Sequence, residues 1–133
     1  MPSSFLITIT PIYAALIAAV FILLSARVIT YRRAHSLTLG DGGDPALLTR
    51  MRAQANCAEY APLGLLLLLL LELQGAPMLA LHLLGLMLLI GRIAHAVGFS
   101  DRNPNIGLRI LGIALTLTML GLSALGLIVM TLV

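Results

Sequence analysis

The sequence predicts an all-α integral membrane protein, a four-helix bundle formed by a single domain that covers residues 1–133. Hydrophobic residues make up 60% of the chain and charged residues only 10%, a balance typical of proteins that cross a membrane several times. Four apolar runs each supply the roughly 20 residues needed to cross a bilayer core of about 30 Å. We expect the four helices at residues 5–31, 46–73, 77–98 and 106–131.

The first helix is expected to be retained in the membrane. Its apolar run from Phe5 to Ala26 is longer than the hydrophobic region of a signal peptide, and no basic residue precedes it. The segment that follows, HSLTLGDGGDP, contains three glycines that interrupt helical structure. Asp44 suits the N-cap of the second helix and Pro45 suits its first turn, so the second helix should begin there.

Short turns precede the third and fourth helices. The segment from Gly75 to Pro77 predicts a tight, uncharged turn, and SDRNPN, residues 100–105, predicts a short polar turn. The single cysteine, Cys57, excludes an intramolecular disulfide, and no Cys or His spacing suits zinc. We therefore expect no metal site.

The arginines predict how the bundle is oriented. All of them lie near the end of the first helix, the start of the second, the end of the third or the start of the fourth: Arg27, Arg32, Arg33, Arg50, Arg52, Arg92, Arg102 and Arg109. These four helix ends lie on one side of the membrane, which should be cytoplasmic because basic residues accumulate there. Both termini are then non-cytoplasmic, and the net charge of +3 indicates orientation and not nucleic-acid binding.

Two polar helix faces on that side carry the candidate functional residues. At about 100° per residue, Arg52, Asn56 and Glu59 fall within about 60° of one another on the second helix. Arg92 and His95 lie one turn apart on the third helix. Polar groups at membrane depth are costly unless they pair, line a polar cavity or reach the interface. Pairing of the arginines with Glu59 would need no ligand, but two converging polar faces favour a binding site.

The motif RAQANCAEYAP, with its core R-A-x-x-N-x-x-E, is followed by GRIAH, and together they resemble the MAPEG family, the membrane-associated proteins in eicosanoid and glutathione metabolism. RAQANCAEY is similar to a segment of leukotriene C4 synthase, and the combination with GDGG and GF is similar to a bacterial branch of the family. The resemblance covers essentially the whole chain. It implies a homotrimer of four-helix subunits in a bacterial inner membrane, with glutathione bound between subunits near the cytoplasmic face.

The resemblance also implies which side chains contact glutathione. This tripeptide carries two carboxylates, an ammonium and a thiol, so it requires guanidinium groups, a carboxylate and an amide or hydroxyl. Glu59 would pair with the ammonium, and arginines would pair with the carboxylates. The residues carried over by the motifs are Arg32, Arg52, Gln54, Asn56, Glu59, Tyr60, Arg92 and His95.

Catalysis by the transferases of this family depends on the glutathione thiolate, and Arg109 resembles the arginine that stabilises it. An adjacent guanidinium favours the charged form of a thiol and so increases the concentration of the nucleophile. Arg109 could equally be one more cytoplasmic positive charge. The implied activity is that of a glutathione transferase or peroxidase acting on hydrophobic small molecules dissolved in the bilayer.

Two positions depart from the family pattern, and two other functions stay open. Phe99 stands where several members have tyrosine, and Ala55 replaces an arginine of the prostaglandin synthase branch, which disfavours prostaglandin synthesis. Because some members bind lipid without catalysis, a lipid-binding or scaffold role is the main alternative. A small multidrug exporter is the least favoured class, since the first helix has no embedded carboxylate.

Two further residues are assigned no chemistry. Cys57 lies about 140° from Arg52 around the second helix, so we interpret it as a small packing residue. His82 is expected near the opposite membrane face, with Glu72 as its closest polar neighbour.

Overall fold

The computed structural model describes residues 6–99 and 103–133, and these ranges contain four α-helices. Their bounds are Thr10–Ala34 (α1), Pro45–Leu73 (α2), Met78–Gly98 (α3) and Ile106–Leu132 (α4). Each is long and apolar enough to cross a membrane, so the predicted all-α membrane bundle is confirmed. Arg102 and the first half of the SDRNPN turn lie outside the described residues.

Helices α2, α3 and α4 agree with the predicted bounds to within one residue, but α1 begins at Thr10 and not at residue 5, and it ends at Ala34 and not at residue 31. The backbone N–H groups of Thr8, Ile9 and Thr10 each donate to the Glu72 carboxylate at 2.7 Å. A carboxylate at a helix start satisfies donors that have no intrahelical partner and complements the helix dipole. Glu72 therefore fixes the start of α1.

Tyr13, and not Glu72, is the polar partner of His82. The Tyr13 hydroxyl lies 3.0 Å from His82 Nδ1 and also donates to the His82 carbonyl oxygen at 3.1 Å. The Tyr13 ring is buried and occupies the space where a side chain on Gly85 would lie. Glycine at position 85 thus lets α1 and α3 pack together at this end of the bundle, which we call the Glu72 end.

The opposite end, where α1 and α3 finish and α2 and α4 begin, is the arginine-rich end. Here Asp44 caps α2, accepting from the backbone N–H groups of Ala46 and Leu47 at 2.8 and 3.3 Å. The Tyr31 hydroxyl also donates to Asp44, at 2.7 Å. This hydrogen bond holds the pKa of the Asp44 carboxyl below its ordinary value. The predicted N-cap is therefore confirmed and is also tied to α1.

Helices α3 and α4 approach most closely near the arginine-rich end. A Cβ atom on Gly112 would lie 2.6 Å from the carbonyl oxygen of Gly91 and 2.6 Å from the backbone nitrogen of His95. A Cβ atom on Gly98 would lie 2.8 Å from the backbone nitrogen of Arg109. Small residues at these positions allow the two backbones to come together, which places side chains of α4 within reach of α3.

Candidate functional site

Arg92 lies at the junction of three helices. Its side chain is only 1% exposed, and its Nε donates to Thr116 Oγ1 on α4 at 3.1 Å. Its Nη1 donates to Asn56 on α2, to Oδ1 at 2.6 Å and to the carbonyl oxygen at 3.2 Å. The guanidinium carbon lies 5.7 Å from the centre of the Tyr60 ring. Asn56, Tyr60, Arg92 and Thr116 form what we call the Arg92 cluster.

The charge of Arg92 is not balanced inside the subunit. No carboxylate among residues 6–99 and 103–133 forms an ion pair with it, and its Nη2 is buried without a hydrogen-bond partner. Removing a guanidinium from water costs several kcal/mol unless a counter-charge and further hydrogen bonds compensate. The Arg92 cluster therefore favours the approach of an anion.

Arg52 and Glu59 lie exposed on α2, on either side of Asn56, and these three residues form the α2 polar face. Within the described part of the chain, neither charged side chain takes part in a hydrogen bond or ion pair, so the pairing of Glu59 with arginines is not found. At about 1.5 Å per residue, Glu59 lies about 21 Å along α2 from Leu73. That distance is less than the hydrocarbon thickness of about 30 Å.

An exposed carboxylate at this depth constrains how the subunit sits in the bilayer. Contact between an ionised side chain and lipid costs about 2.5 to 3.5 kcal/mol at the bilayer centre, and such residues almost always face protein or a polar cavity. The α2 polar face must therefore be covered by protein or by a polar molecule in the membrane.

Arg32 and Gln54 make their hydrogen bonds elsewhere. Arg32 Nη1 donates to the carbonyl oxygen of Gly40 at 2.8 Å, and Arg32 Nη2 lies 3.3 Å from the sulfur of Met51. Gln54 Nε2 donates to Ser25 Oγ on α1 at 3.0 Å. Arg32 thus stabilises the loop after α1, and Gln54 connects α2 to α1 through a hydrogen bond. The structure does not connect either of them to the Arg92 cluster.

His95, Phe99 and Arg109 lie in contact at the end of α3, with the His95 ring tilted against the Phe99 ring and the Arg109 guanidinium over it. The His95 side chain is 5% exposed, and its ring centre lies 4.9 Å from that of Phe99. The guanidinium carbon of Arg109 lies 3.9 Å from the centre of the Phe99 ring, and Arg109 Nε donates to the Gly98 carbonyl oxygen at 2.8 Å. Arg109 is therefore held against the end of α3 by its own subunit.

The sequence analysis missed Thr116 and the contact between Phe99 and Arg109. Thr116 is fully buried, and its hydroxyl joins Arg92 to α4. A signal was present, because Thr116 lies two helical turns after Arg109 and so shares its side of α4. Helical spacing places Phe99 on the same side of the third helix as Arg92 and His95, but it does not reveal that the Phe99 ring packs against the Arg109 guanidinium.

An apolar groove opens between α1 and α3 close to this group. It has a volume of about 470 Å³ and is lined by Val20, Leu23, Leu24, Arg27, Ile93, Ala96 and Val97. Apart from Arg27, every lining side chain is apolar, so the groove suits a hydrophobic molecule or an acyl chain.

Comparison with known proteins agrees with the motifs. The MAPEG family model matches residues 10–130. The inner membrane protein YecN of Escherichia coli strain K12 is 34% identical over 94 residues, which cover 71% of this chain and 72% of YecN. YecN of Escherichia coli O6:H1 gives the same identity and coverage. With four membrane-crossing helices and a family match over nearly its whole length, this chain is an integral membrane protein of the MAPEG family.

Proposed function

We propose that this protein binds glutathione on the α2 polar face, at the boundary between subunits of a homotrimer, and uses it to conjugate or reduce lipophilic electrophiles. The observation that carries the proposal is the pair of exposed charges on α2, with Glu59 inside the hydrocarbon thickness and Arg52 at its edge, beside the unbalanced charge of Arg92. A zwitterionic peptide with an excess of carboxylates matches this arrangement.

The charges of glutathione fit those of the site. Its ammonium group complements Glu59, and one carboxylate complements the bidentate guanidinium of Arg52. Arg92 is too deeply buried to be the main contact, but its positive charge lies one hydrogen bond behind Asn56. Because charges interact strongly away from water, Arg92 favours binding of a ligand with a net negative charge.

The need to cover the α2 polar face supports the assembly of subunits. The α2 polar face cannot lie against lipid, and the surface of a neighbouring copy would shield both the charged side chains and the bound peptide. The number of three subunits rests on the resemblance to the family and not on the single chain.

The chemistry requires an ionised thiol. The thiol gives its proton to water, and the thiolate attacks the electrophilic carbon of the substrate, forming a C–S bond while the leaving group departs with the bonding electrons. With a hydroperoxide, the thiolate attacks oxygen, and a second glutathione completes the reduction to alcohol, water and glutathione disulfide. Arg109 is the residue proposed to stabilise the thiolate, and the groove between α1 and α3 would admit the apolar substrate.

Calorimetric titration of the detergent-solubilised protein with glutathione tests the proposal. We expect saturable binding and conjugation of a chlorinated nitrobenzene. S-methylglutathione is the matched ligand for the chemical step, because it keeps both carboxylates and the ammonium but has no thiol, and it should bind without being conjugated. If neither glutathione nor S-methylglutathione binds, glutathione is excluded as the ligand.

The second candidate is a non-catalytic member of the family that binds lipid or acts as a scaffold. The contacts of Arg109 favour this candidate, because a guanidinium stacked on Phe99 and bonded to the Gly98 carbonyl is partly committed to its own subunit. The ultraviolet absorbance of the thiolate distinguishes the two candidates. An enzyme lowers the pKa of the bound thiol, whereas a scaffold that holds glutathione incidentally leaves it unshifted.

A further inference from the structure

We infer that Thr116 is a positioning residue which, through Arg92, orients the amide of Asn56 so that its N–H donors face a carbonyl or carboxylate oxygen of the ligand. The inference rests on the proposed function and adds to it a residue on α4 and the chemical character of one subsite. It depends on the direction in which each hydrogen bond of the Arg92 cluster must run.

The direction of the hydrogen bonds in the Arg92 cluster is fixed at Arg92. A guanidinium can only donate, so both Thr116 Oγ1 and Asn56 Oδ1 must act as acceptors. The hydroxyl proton of Thr116 is directed elsewhere, to the carbonyl oxygen of Gly112 at 2.8 Å. The hydrogen bonds thus orient the Thr116 oxygen toward Arg92 and lock the guanidinium between α2 and α4.

Donation by Arg92 also fixes the orientation of the Asn56 side chain. Because Oδ1 accepts from Arg92, the amide nitrogen must point away from the guanidinium. Asn56 is only partly buried, and its amide nitrogen is neither hydrogen-bonded nor enclosed within the described residues. A flipped amide would set two N–H donors against Arg92 and lose the 2.6 Å contact. Asn56 can therefore offer a ligand donors but no side-chain acceptor.

The close packing of α3 and α4 makes this arrangement possible. A Cβ atom on Gly91 would lie 2.9 Å from Thr116 Oγ1, so a larger residue would push α4 away from Arg92. With Thr116 in place, Nε is held, and the guanidinium plane directs Nη1 at Asn56. Without the hydroxyl, Arg92 would lose one of its two side-chain acceptors and be held only through its Nη1 contacts with Asn56, so its guanidinium plane would be less well fixed.

Two substitutions at position 116 separate positioning from stability. Thr116→Val keeps the shape but removes the acceptor, and we expect glutathione to bind about five to ten times more weakly, as for the loss of one buried hydrogen bond. Thr116→Ser keeps the hydroxyl and loses a buried methyl group, so its unfolding temperature should fall while its affinity stays within about two-fold of wild type. Affinity is measured by calorimetry and stability by thermal unfolding, both on the assembled protein in detergent.

Asn56→Asp tests the direction of the amide. Its carboxylate still accepts from Arg92 and supplies the missing counter-charge, so the variant should be at least as stable as wild type. It removes both N–H donors and places an oxygen before the ligand, and we expect affinity to fall by about ten-fold or more. A purely structural role for Asn56 predicts no such loss.

The outcomes distinguish an error in the inference from an error in the proposed function. If wild type binds glutathione but Asn56→Asp binds equally well, or Thr116→Val and Thr116→Ser have the same affinity, the inference is wrong and the proposed function stands. If wild type shows no binding, the proposed function is wrong and the inference falls with it. Should Thr116→Val fail to assemble, Thr116→Ala is compared with Thr116→Ser in its place, because alanine also removes the acceptor.

Discussion

The polar groups at the two ends of the bundle differ in whether they have hydrogen-bond partners within the subunit. At the Glu72 end, both carboxylate oxygens accept backbone N–H groups of the α1 start, and Tyr13 pairs with His82. At the arginine-rich end, Arg92 has no ion-pair partner within the described residues, and Arg52 and Glu59 lie exposed on α2. Glu72 joins α2 to the start of α1, whereas Glu59 makes no hydrogen bond or ion pair with the described part of its own subunit.

This difference separates structural from functional polarity in a small membrane protein. A polar group retained for folding must satisfy its hydrogen bonds within the chain, since lipid offers no partners. A polar group retained for binding remains without a partner until the ligand or a neighbouring subunit arrives. Glu59 and Glu72 lie on the same helix and differ in this way, so they are matched positions for testing the comparison.

The largest expected effect concerns the side of the membrane on which each end lies. Because the arginines cluster at one end, we predict that this end is cytoplasmic and that both termini are not. A fluorescent protein that matures only in the cytoplasm should give no signal when fused to Val133, while alkaline phosphatase fused there should be active. A fluorescent C-terminal fusion would reverse the orientation and place the candidate site on the other side of the membrane.

At the Glu72 end, Glu72→Ala should lower the free energy of unfolding by about 3 kcal/mol. The change removes three hydrogen bonds to a charged acceptor at the start of α1. Denaturation in detergent measures the loss, and Glu59→Ala serves as the control, with an expected change below about 0.5 kcal/mol. Glutathione affinity should be unchanged in Glu72→Ala provided that the protein is folded. Equal destabilisation by both changes would remove the distinction between the two ends.

At the arginine-rich end, Glu59→Gln should weaken glutathione binding by about 1.5 to 3 kcal/mol, as for the loss of a hydrogen bond to a charged group. Calorimetry on the assembled protein measures the change. Asp41→Asn is the charge-matched control, because it neutralises a carboxylate in the loop before α2 and should leave affinity unaltered. Wild-type affinity in Glu59→Gln would mean that Glu59 has no contact with the ammonium.

The sequence predicted the helices well because each apolar run must span a bilayer of fixed thickness. Helix α1 was the exception, since it starts five residues later and ends three residues later than predicted. Its apolar run begins at Phe5, but the helix begins only at Thr10, where Glu72 of another helix receives the first N–H groups. Hydropathy describes how much chain can lie in lipid and carries no information on a capping group that is distant in sequence.

The candidate site was predictable only as far as local motifs reach. Helical periodicity places Arg52, Asn56 and Glu59 on one face without knowledge of the fold. The contact between Arg92 and Thr116 depends on how closely α3 approaches α4, and glycines at positions 91 and 112 set that distance. A glycine in an apolar helix has many uses, so the sequence alone could not identify the partner. The contact between Arg109 and Phe99 also depends on how α3 and α4 pack, so it could not be predicted from the sequence either.

Arg109→Ala should separate binding from chemistry. We expect glutathione affinity to change by less than about three-fold, whereas the pKa of the bound thiol rises toward its free value and turnover falls by about ten-fold or more. The matched variant Arg109→Lys keeps the positive charge but loses the planar contact with Phe99, so its turnover should be intermediate. Thiolate absorbance against pH reports the thiol directly. If the thiol stays ionised in Arg109→Ala, another arginine stabilises it.

The smallest expected effect lies in the contact that joins α1 to the start of α2. Tyr31→Phe removes the hydroxyl that donates to Asp44 but keeps the ring that stacks on His35 and lies under Arg50. Because this hydrogen bond lowers the pKa of Asp44 in the folded protein, its contribution to stability is present at neutral pH. That contribution is lost as the pH falls through the lowered pKa, below the ordinary aspartate range near about 3.9. Wild type should therefore be slightly more stable than Tyr31→Phe at pH about 7, and the two should converge in acid.

Thermal unfolding of both proteins in detergent between neutral and acidic pH measures this difference. His35 also lowers the pKa of Asp44 through its charge, and this effect is the same in both proteins if the ring stacking is unchanged. The comparison between the two proteins therefore isolates the hydroxyl. A stability difference that stays constant down to the lowest pH would show that the Tyr31 hydroxyl acts through a group other than the Asp44 carboxylate. In that case, the pKa of the N-cap carboxyl of α2 would not depend on α1. Polar contacts within the subunit would then contribute less to the stability of the arginine-rich end.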